Sequence, residues 1–483
     1  MNILKVLKTL GKILIVESFF MFLSFIVGLC YKEFEQSLSL AISFLTVLAV
    51  GLLLTFAIRT KKTKYLAKEG FLCVGLSWLI MSLFATMPYM LTGSIPNFFN
   101  AFLECCSGFT TTGASIIPNV EDISHGVLIW RELTHWVGGM GILVFMFAFA
   151  PIKDSGSIFV FGAETTGFRA DKLVSKLRSN ARILYLIYIG LTVLETILLV
   201  FKMPFFDALL HSMGTVSTGG FSTRASSIQS FNSLYVEMVI VSFMFLSSLN
   251  FTLFFLLLMG NFKDVFKNEE LRWYLCFLVT AILIISVSLL ETYGNFGTAL
   301  RYASFQALTC SSTTGYFSTN FTDWPVLTKS ILLILMLGGG MIGSTAGGIK
   351  TARVAITFKS TTADISTIFH PNRVRNVKFG GKLLTVKDTR SVRTFIVVYF
   401  IFLIFSTFLL SVLGPTSFET NLTGTISALS NVGPFFGTEA AYSGNFLCFN
   451  WAQKLLLSIE MLAGRLEIFP ILILFMPHHW RYK

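Results

Sequence analysis

Ten apolar runs, each about as long as a bilayer is thick, constrain this chain more than any other feature. They lie at approximately 10–30, 38–58, 70–91, 126–150, 181–203, 234–260, 272–293, 328–349, 394–413 and 454–476. About 20 residues of helix cross a hydrocarbon core of roughly 30 Å. Lipid offers the backbone no hydrogen bonds, so such runs must be helices that satisfy themselves. Composition agrees: 54% of the 483 residues are hydrophobic and 13% charged, against about 25% charged in soluble domains. The first run opens with Lys5, Lys8 and Lys12 as a secretory leader would. Its apolar part is too long, however, no small-residue cleavage site stands out, and a second run follows at once. The fold class expected is an all-α integral membrane protein.

The formal charge of +12 is spread in a way that excludes a nucleic-acid partner. Lys and Arg gather in alternate loops: at 59–68, at 153–182, at 263–272, at both ends, and most heavily between Lys350 and Arg393. By the positive-inside rule these loops and both termini are cytoplasmic. The opposite loops carry Glu33, Glu35, Glu121, Asp122, Asp323, Glu419 and Glu439. These acids either raise the cation concentration at a pore mouth or merely keep loops soluble. The seven cysteines show no CxxC or Cys/His metal spacing.

Between the runs, a short polar stretch ending in glycine recurs four times: Thr110-Thr111-Thr112-Gly113, Val216-Ser217-Thr218-Gly219, Ser312-Thr313-Thr314-Gly315 and Ser430-Asn431-Val432-Gly433. Each glycine falls twelve residues after Ala101, Asp207, Ala303 or Asn421. The chain therefore divides into a peripheral helix pair (1–69) and four span–pore helix–span units, at 70–150, 151–262, 263–360 and 361–483. All four units enter the membrane in the same sense and can surround one pseudo-fourfold pore. A cation that sheds water needs fixed oxygens, which rings of backbone carbonyls supply. Glycine tolerates the dihedrals that aim such carbonyls inward, and the carboxyl ends of the short helices favour a cation. Small residues can also serve only to pack helices closely, but four loops in register favour the pore reading.

Two further features stand out in the later apolar runs. Gly338-Gly339-Gly340-Met341-Ile342-Gly343-Ser344-Thr345-Ala346-Gly347-Gly348 holds six glycines in eleven residues, each costing a helix about 0.8–1 kcal/mol relative to alanine. An irregular, mobile segment within the membrane is expected. Ile349 before Lys350, and the lipid context, exclude a phosphate-binding loop. Arg465 sits in an apolar run beside Glu460 and Glu467. A charge there is expensive and must face protein or pore, as a structural ion pair with a neighbouring Glu, as an electrostatic barrier, or as both. Glu17, His135, Glu195 and Glu237 also lie in or near spans. Glu104 and His211 fall inside pore helices, where a hydrogen-bonded role behind the filter is expected. The basic stretch 350–393 is a solvated loop or a docking surface.

The segments 106–114, 211–221 and 429–434, with Trp136-Val137-Gly138-Gly139-Met140-Gly141 and the ending Gly464-Arg465-Leu466-Glu467-Ile468-Phe469, resemble the bacterial Trk/Ktr potassium uptake family. The added N-terminal pair makes the likeness strongest to its TrkH/TrkG branch. The resemblance implies a K+-selective pore subunit in a bacterial inner membrane, a homodimer with one pore per protomer. It also implies regulation by a cytoplasmic ring of TrkA-type RCK subunits, with nucleotide bound only on that partner. K+ ions would be held by the sixteen filter residues, with no covalently bound cofactor. It further implies that Gly338, Gly339, Gly340, Gly343, Ser344, Thr345, Gly347 and Gly348, with Arg465, gate the path. Symport coupled to H+ or Na+ is the alternative to passive flux. An intramembrane protease is disfavoured, because neither His135 nor Ser344 has a nucleophile context. A small-solute transporter would show two broken helices in corresponding halves, not four re-entrant loops.

Overall fold

The computed structural model describes residues 3–58, 67–141, 174–370, 377–439 and 445–474. The basic clusters at 59–66 and 153–172, the span ends 142–150 and 475–476, and Arg373, Arg375, Arg481 and Lys483 lie outside them. Helices α1 (Ile3–Cys30) and α2 (Phe34–Phe56) form a tight antiparallel pair. They approach closely where Gly11 faces the Gly51 carbonyl, so that a Cβ on either glycine would collide with the other helix. Their turn is latched to the body of the protein. The Glu33 carboxylate accepts the backbone N–H groups of His125 (2.9 Å) and Gly126 (3.2 Å), while Tyr31 stacks on the His125 ring at 3.9 Å. An anion at those N–H groups satisfies donors that a helix start leaves open.

The first unit runs α3 (Ala67–Phe84), α4 (Thr86–Leu91), the short α5 (Phe98–Phe109) and α6 (His125–Met140). The second runs α7 (Val174–Val200), α8 (Phe205–Val216), α9 (Leu234–Ser248) and α10 (Phe251–Leu258). The third has α11 (Glu269–Ser288), α12 (Phe296–Ser311) and α13 (Val326–Gly338). The fourth, after α14 (Thr351–Phe369), has α15 (Val386–Leu413), α16 (Phe418–Ser430), α17 (Trp451–Arg465) and α18 (Phe469–Leu474). The short helices α5, α12 and α16 start at side-chain caps, from Asn97, Asn295 and Ser417, and α8 starts behind Pro204.

Six described helices are long and apolar enough to cross a membrane, and α9 with α10 makes a seventh when the bent pair is counted as one span. The second crossings of units two, three and four are interrupted, while the end of the first unit's, 142–150, lies outside the described residues. Helix α6 ends at Gly141 with φ 79°, and α9 turns by 96° into α10 at Leu249-Asn250. Helix α13 halts after 13 residues at Gly338, and α17 stops at Arg465, where Glu467 and Ile468 take left-handed φ of 57° and 64°. The runs 234–260, 328–349 and 454–476 are thus not continuous spans.

The stretch 350–393 also departs from a solvated loop. Thr351–Phe369 is helical, and β1 (Lys378–Phe379) pairs with β2 (Lys382–Leu383) around Gly380-Gly381, whose positive φ suits a two-residue hairpin turn. Helix α15 then begins at Val386, eight residues before the expected 394, because Thr385 and Asp388 form a capping box that starts it early.

Candidate functional site

Each short helix ends in the same way. The N–H groups of Thr111, Thr218, Thr313 and Asn431 reach the carbonyls of Gly108, Thr215, Cys310 and Ala428, at 3.0, 2.9, 3.3 and 3.3 Å. Those of Thr112, Gly219, Thr314 and Val432 reach Ser107, Gly214, Thr309 and Ser427, at 2.9, 2.8, 3.0 and 2.9 Å. This pair of bonds is a Schellman motif, which demands a left-handed residue after the cap. That place is held by Thr111, Thr218, Thr313 and Asn431, with φ of 52°, 57°, 58° and 56°. A β-branched residue there stores strain of about 1–3 kcal/mol, a level tolerated where surrounding structure over-determines the backbone.

Two residues on, the chain takes positive φ again at Gly113, Gly220, Gly315 and Gly433. A Cβ on Gly113 would run into the Gly219 carbonyl oxygen, one on Gly220 into that of Thr314, one on Gly315 into Val432 and one on Gly433 into Thr112. The four loops therefore close a ring in sequence order, each glycine seated against a carbonyl of the next unit. Only glycine allows that approach.

This geometry shifts the second loop by one residue. Its equivalent stretch is Ser217-Thr218-Gly219-Gly220, so Val216 is the last residue of α8 and Gly220 the ring glycine that the sequence reading omitted. The twelve-residue offset to Gly220 begins at Ala208, which lines up with Ala101 and Ala303 better than Asp207 does. A cavity of about 60 Å³ rests on the ring and is lined by all four glycines, 113, 220, 315 and 433.

Behind the first two loops lies a buried polar brace. Glu104 accepts from the Ser115 hydroxyl (3.0 Å), the Ile116 N–H (2.9 Å) and the Arg131 guanidinium (2.8 Å). At the same place in the second unit, His211 Nε2 bonds the Ser222 hydroxyl at 2.9 Å. Arg131 joins the two braces by donating to the Ser222 carbonyl (3.0 Å), and its guanidinium lies 3.5 Å from the centre of the Phe221 ring. His135 stacks on Phe221 at 3.9 Å and fills the space beside Gly219. Farther out, Arg301 forms a two-bond pair with Glu237, both at 2.7 Å, joining the third unit to the second. Lys454 donates to Asn100 at 2.8 Å, joining the fourth to the first.

On the other side of the ring, residues 339–350 form an irregular loop held by specific bonds. The Gly347 N–H donates to the Thr313 hydroxyl (2.7 Å), and Gly347 lies so close to the Ser430 carbonyl that a Cβ would clash. The Thr345 hydroxyl reaches the Val216 and Ser247 carbonyls at 3.1 and 3.2 Å, and Met341 N–H donates to Ser248 at 3.0 Å. At its two ends, Ile349 N–H returns to Leu337 (2.9 Å) and Thr351 N–H to Gly340 (3.0 Å). Gly338 and Ser344 sit within this loop and its approach, where Ser344 bonds back to Met341 and Gly343 abuts Asn250.

Arg465 ties this loop to its surroundings. Its guanidinium donates to the Thr345 carbonyl (2.7 Å) in the loop and to Gly138 (2.7 Å) and Gly139 at the end of α6. It thus reaches from the fourth unit to both of its neighbours, the first and the third, which face each other across the ring. Glu467, one of the two neighbouring acids, is taken by Arg353 at 2.6 Å. No sequence signal announced the carbonyl partners of Arg465, which lie more than a hundred residues away.

Comparison with known proteins meets this geometry along the whole chain. A family model described as a cation transport protein, TrkH, matches residues 36–482. The Trk system potassium uptake protein TrkH of Salmonella typhimurium is 32% identical over 488 residues, covering all of both chains. The corresponding TrkG of Escherichia coli is 32% identical over 466 residues, 94% of each chain. The crystal structure of the potassium transporter TrkH from Vibrio parahaemolyticus superposes with a TM-score of 0.90 at 29% identity, again covering both chains in full.

Proposed function

The chain belongs to the TrkH family of cation transport proteins, and from that premise we propose that it takes up potassium through a selective pore in a bacterial inner membrane. The observation that carries this reading is the ring. Four Schellman-ended loops close on one another, each glycine seated against a carbonyl of the next loop, and a ring of backbone carbonyls is the kind of array that replaces a cation's hydration shell. The filter comprises 110–113, 217–220, 312–315 and 430–433 about a pseudo-fourfold axis. The cavity on the ring is the outer mouth, and both termini are cytoplasmic.

Loop 339–350 with Arg465 is the gate. It covers the ring from the cytoplasmic side, and its bonds to Thr313, Val216 and Ser247 can be exchanged without breaking a helix. A guanidinium at that place also repels a cation leaving the filter. The pore works as a homodimer under a TrkA-type RCK ring, which holds the nucleotide. The exposed Phe358, Ile365, Ile368 and Phe369 of α14 support a contact with that ring or with the second protomer.

The test is a reversal potential in proteoliposomes under separate K+, Na+ and pH gradients. Wild type follows potassium alone, and serine at Gly113, Gly220, Gly315 or Gly433 narrows the K+/Na+ discrimination. Unaltered potentials in all four variants would overturn the filter, and a pH- or sodium-dependent potential would replace passive flux by symport. Arg465→Ala raises flux through the wild-type filter; equal or lower flux from well-folded protein would remove Arg465 from the gate.

A further inference from the structure

The cavity that rests on the four ring glycines carries an electrostatic anomaly for a cation path. Arg131 and Arg224 both line it, and no described residue lining it is acidic. The two arginines are not alike. Arg131 is sealed against Glu104, with side chains 3% and 0% exposed, so its charge is matched at contact distance and turned away from water. Arg224 remains 40% exposed and has one carboxylate partner, Asp207, at 3.0 Å. Asp207 is set back at 10% exposure, and its second oxygen is occupied by the Thr223 hydroxyl at 2.7 Å. The pair therefore presents its positive end to the cavity.

The segment bearing Arg224 cannot swing aside. Its own N–H donates to the Ser222 hydroxyl (3.1 Å), which is held in turn by His211, and the next residue, Ala225, donates its N–H to Glu121 at 2.8 Å. An exposed charge pinned within about a Debye length of a narrow mouth, ~10 Å at 0.1 M salt, changes the local cation concentration.

We propose that Arg224 is an entrance barrier that sets how tightly the outer mouth gathers potassium, with Asp207 as the group that tempers it. Arg224 is a specificity-tuning residue of the mouth and not a ligand of the ion. The inference rests on reading the ring as a potassium filter.

The experiment is potassium influx into proteoliposomes of oriented full-length protein, as a function of external K+. It is run at ionic strengths of about 0.01 M and 1 M, where the Debye length is ~30 Å and ~3 Å, set with an impermeant organic cation. At low ionic strength, Arg224→Gln lowers the half-saturating K+ about two- to tenfold, as expected for one charge near the path, and changes maximal flux less. Asp207→Asn shifts it the opposite way, and Arg224→Lys keeps the wild-type value. Both shifts collapse at high ionic strength. A half-saturation unchanged in Arg224→Gln, or a shift that persists at high salt or appears equally in Arg224→Lys, overturns the barrier and leaves Arg224 a structural residue. Failure of the parent reading looks different: wild type itself would then show no potassium-selective influx.

Discussion

The four pore loops share one backbone, yet the first two and the last two are held in place by different chemistry. Seven residues before the left-handed position stand Glu104, His211, Gln306 and Gly424, and four residues after it stand Ser115, Ser222, Phe317 and Phe435. In units one and two, a polar side chain in the helix bonds a serine on the returning strand. In unit four that position is glycine, and the helix braces the returning segment with the neighbouring Thr423, whose hydroxyl accepts the Phe436 N–H at 3.1 Å and donates to the Phe436 carbonyl. Phe435 packs on Phe446 and Phe449 at 4.9 and 5.5 Å, and Phe449 moves into the space beside Gly424. Phe317 and Phe321 supply apolar bulk in unit three, and Phe321 meets Phe436 edge-on at 5.4 Å, bridging units three and four. The same backbone geometry is thus reached with a buried ion pair and an imidazole on one side, and with aromatic bulk supplemented by hydroxyl and amide bonds such as those of Thr423 and Asn431 on the other. The two solutions fail differently. A buried hydrogen-bonded charge leaves an uncompensated partner when cut, whereas an aromatic contact degrades with lost volume.

The comparison breaks most sharply at Glu104. Glu104→Ala strands the Arg131 guanidinium at 2% exposure, which costs about 3–5 kcal/mol. We expect a large drop in melting temperature in detergent together with lost K+/Na+ discrimination. Replacing both partners with methionine recovers much of the stability, because the burial penalty goes with the charges. If Glu104→Ala melts like wild type, the brace is not holding the ring. Next in size is His211→Ala, which removes a neutral bond to Ser222 and costs about 1–3 kcal/mol. Selectivity should decline in this variant, with partial recovery in His211→Gln, which can still reach the serine. Equal melting of His211→Ala and wild type would show that the second brace is redundant with Arg131.

These braces mark how far the sequence could be read. Glu104 and His211 were visible as polar residues in pore helices, and the four loops were visible because Ser, Thr and Gly in an apolar chain stand out. The register of the second loop was ambiguous because Gly219 and Gly220 are adjacent. Counting from Asp207 selected the first of them, whereas the backbone uses the second. The break at Gly338 was legible from glycine density, but those at Leu249-Asn250 and Leu466–Ile468 were not, since apolar residues continue through both. Long-range partners left no trace: Arg353 with Glu467 and Arg465 with Gly138 depend on how units dock. Local chemistry writes the loop ends into the sequence, while docking writes the contacts of Arg465 beneath them.

Phe435→Leu probes the apolar half. The swap is nearly volume-conserving, so it costs less than about 1.5 kcal/mol, and the ring should keep its K+/Na+ discrimination. That outcome, set against the loss at Glu104, would confirm that Phe435 supports unit four by its volume and not by direction. A collapse of selectivity in Phe435→Leu with a near-normal melt would show instead that the aromatic edge is as directional as the carboxylate, and the contrast between the halves would dissolve.

The smallest effect concerns the polar support of unit four at its rim. Glu439 accepts from the Ser417 N–H (3.1 Å), the Ser417 hydroxyl (2.6 Å) and the Thr420 hydroxyl at the start of α16. The Ser417 and Thr420 hydroxyls hold its carboxyl down at about 2. A depressed pKa means that the native state prefers the ionised form. Its contribution is therefore complete above the unfolded value of about 4.3 and fades as pH falls toward 2. The side chain is exposed, so water screens most of the effect. Glu439→Gln should melt slightly below wild type at pH 7, with the gap narrowing between pH 4.5 and pH 3. A gap that stays constant across that interval would mean that shape rather than charge closes the rim. The Ser417 and Thr420 hydroxyls would then hold the rim as neutral hydrogen-bonding groups.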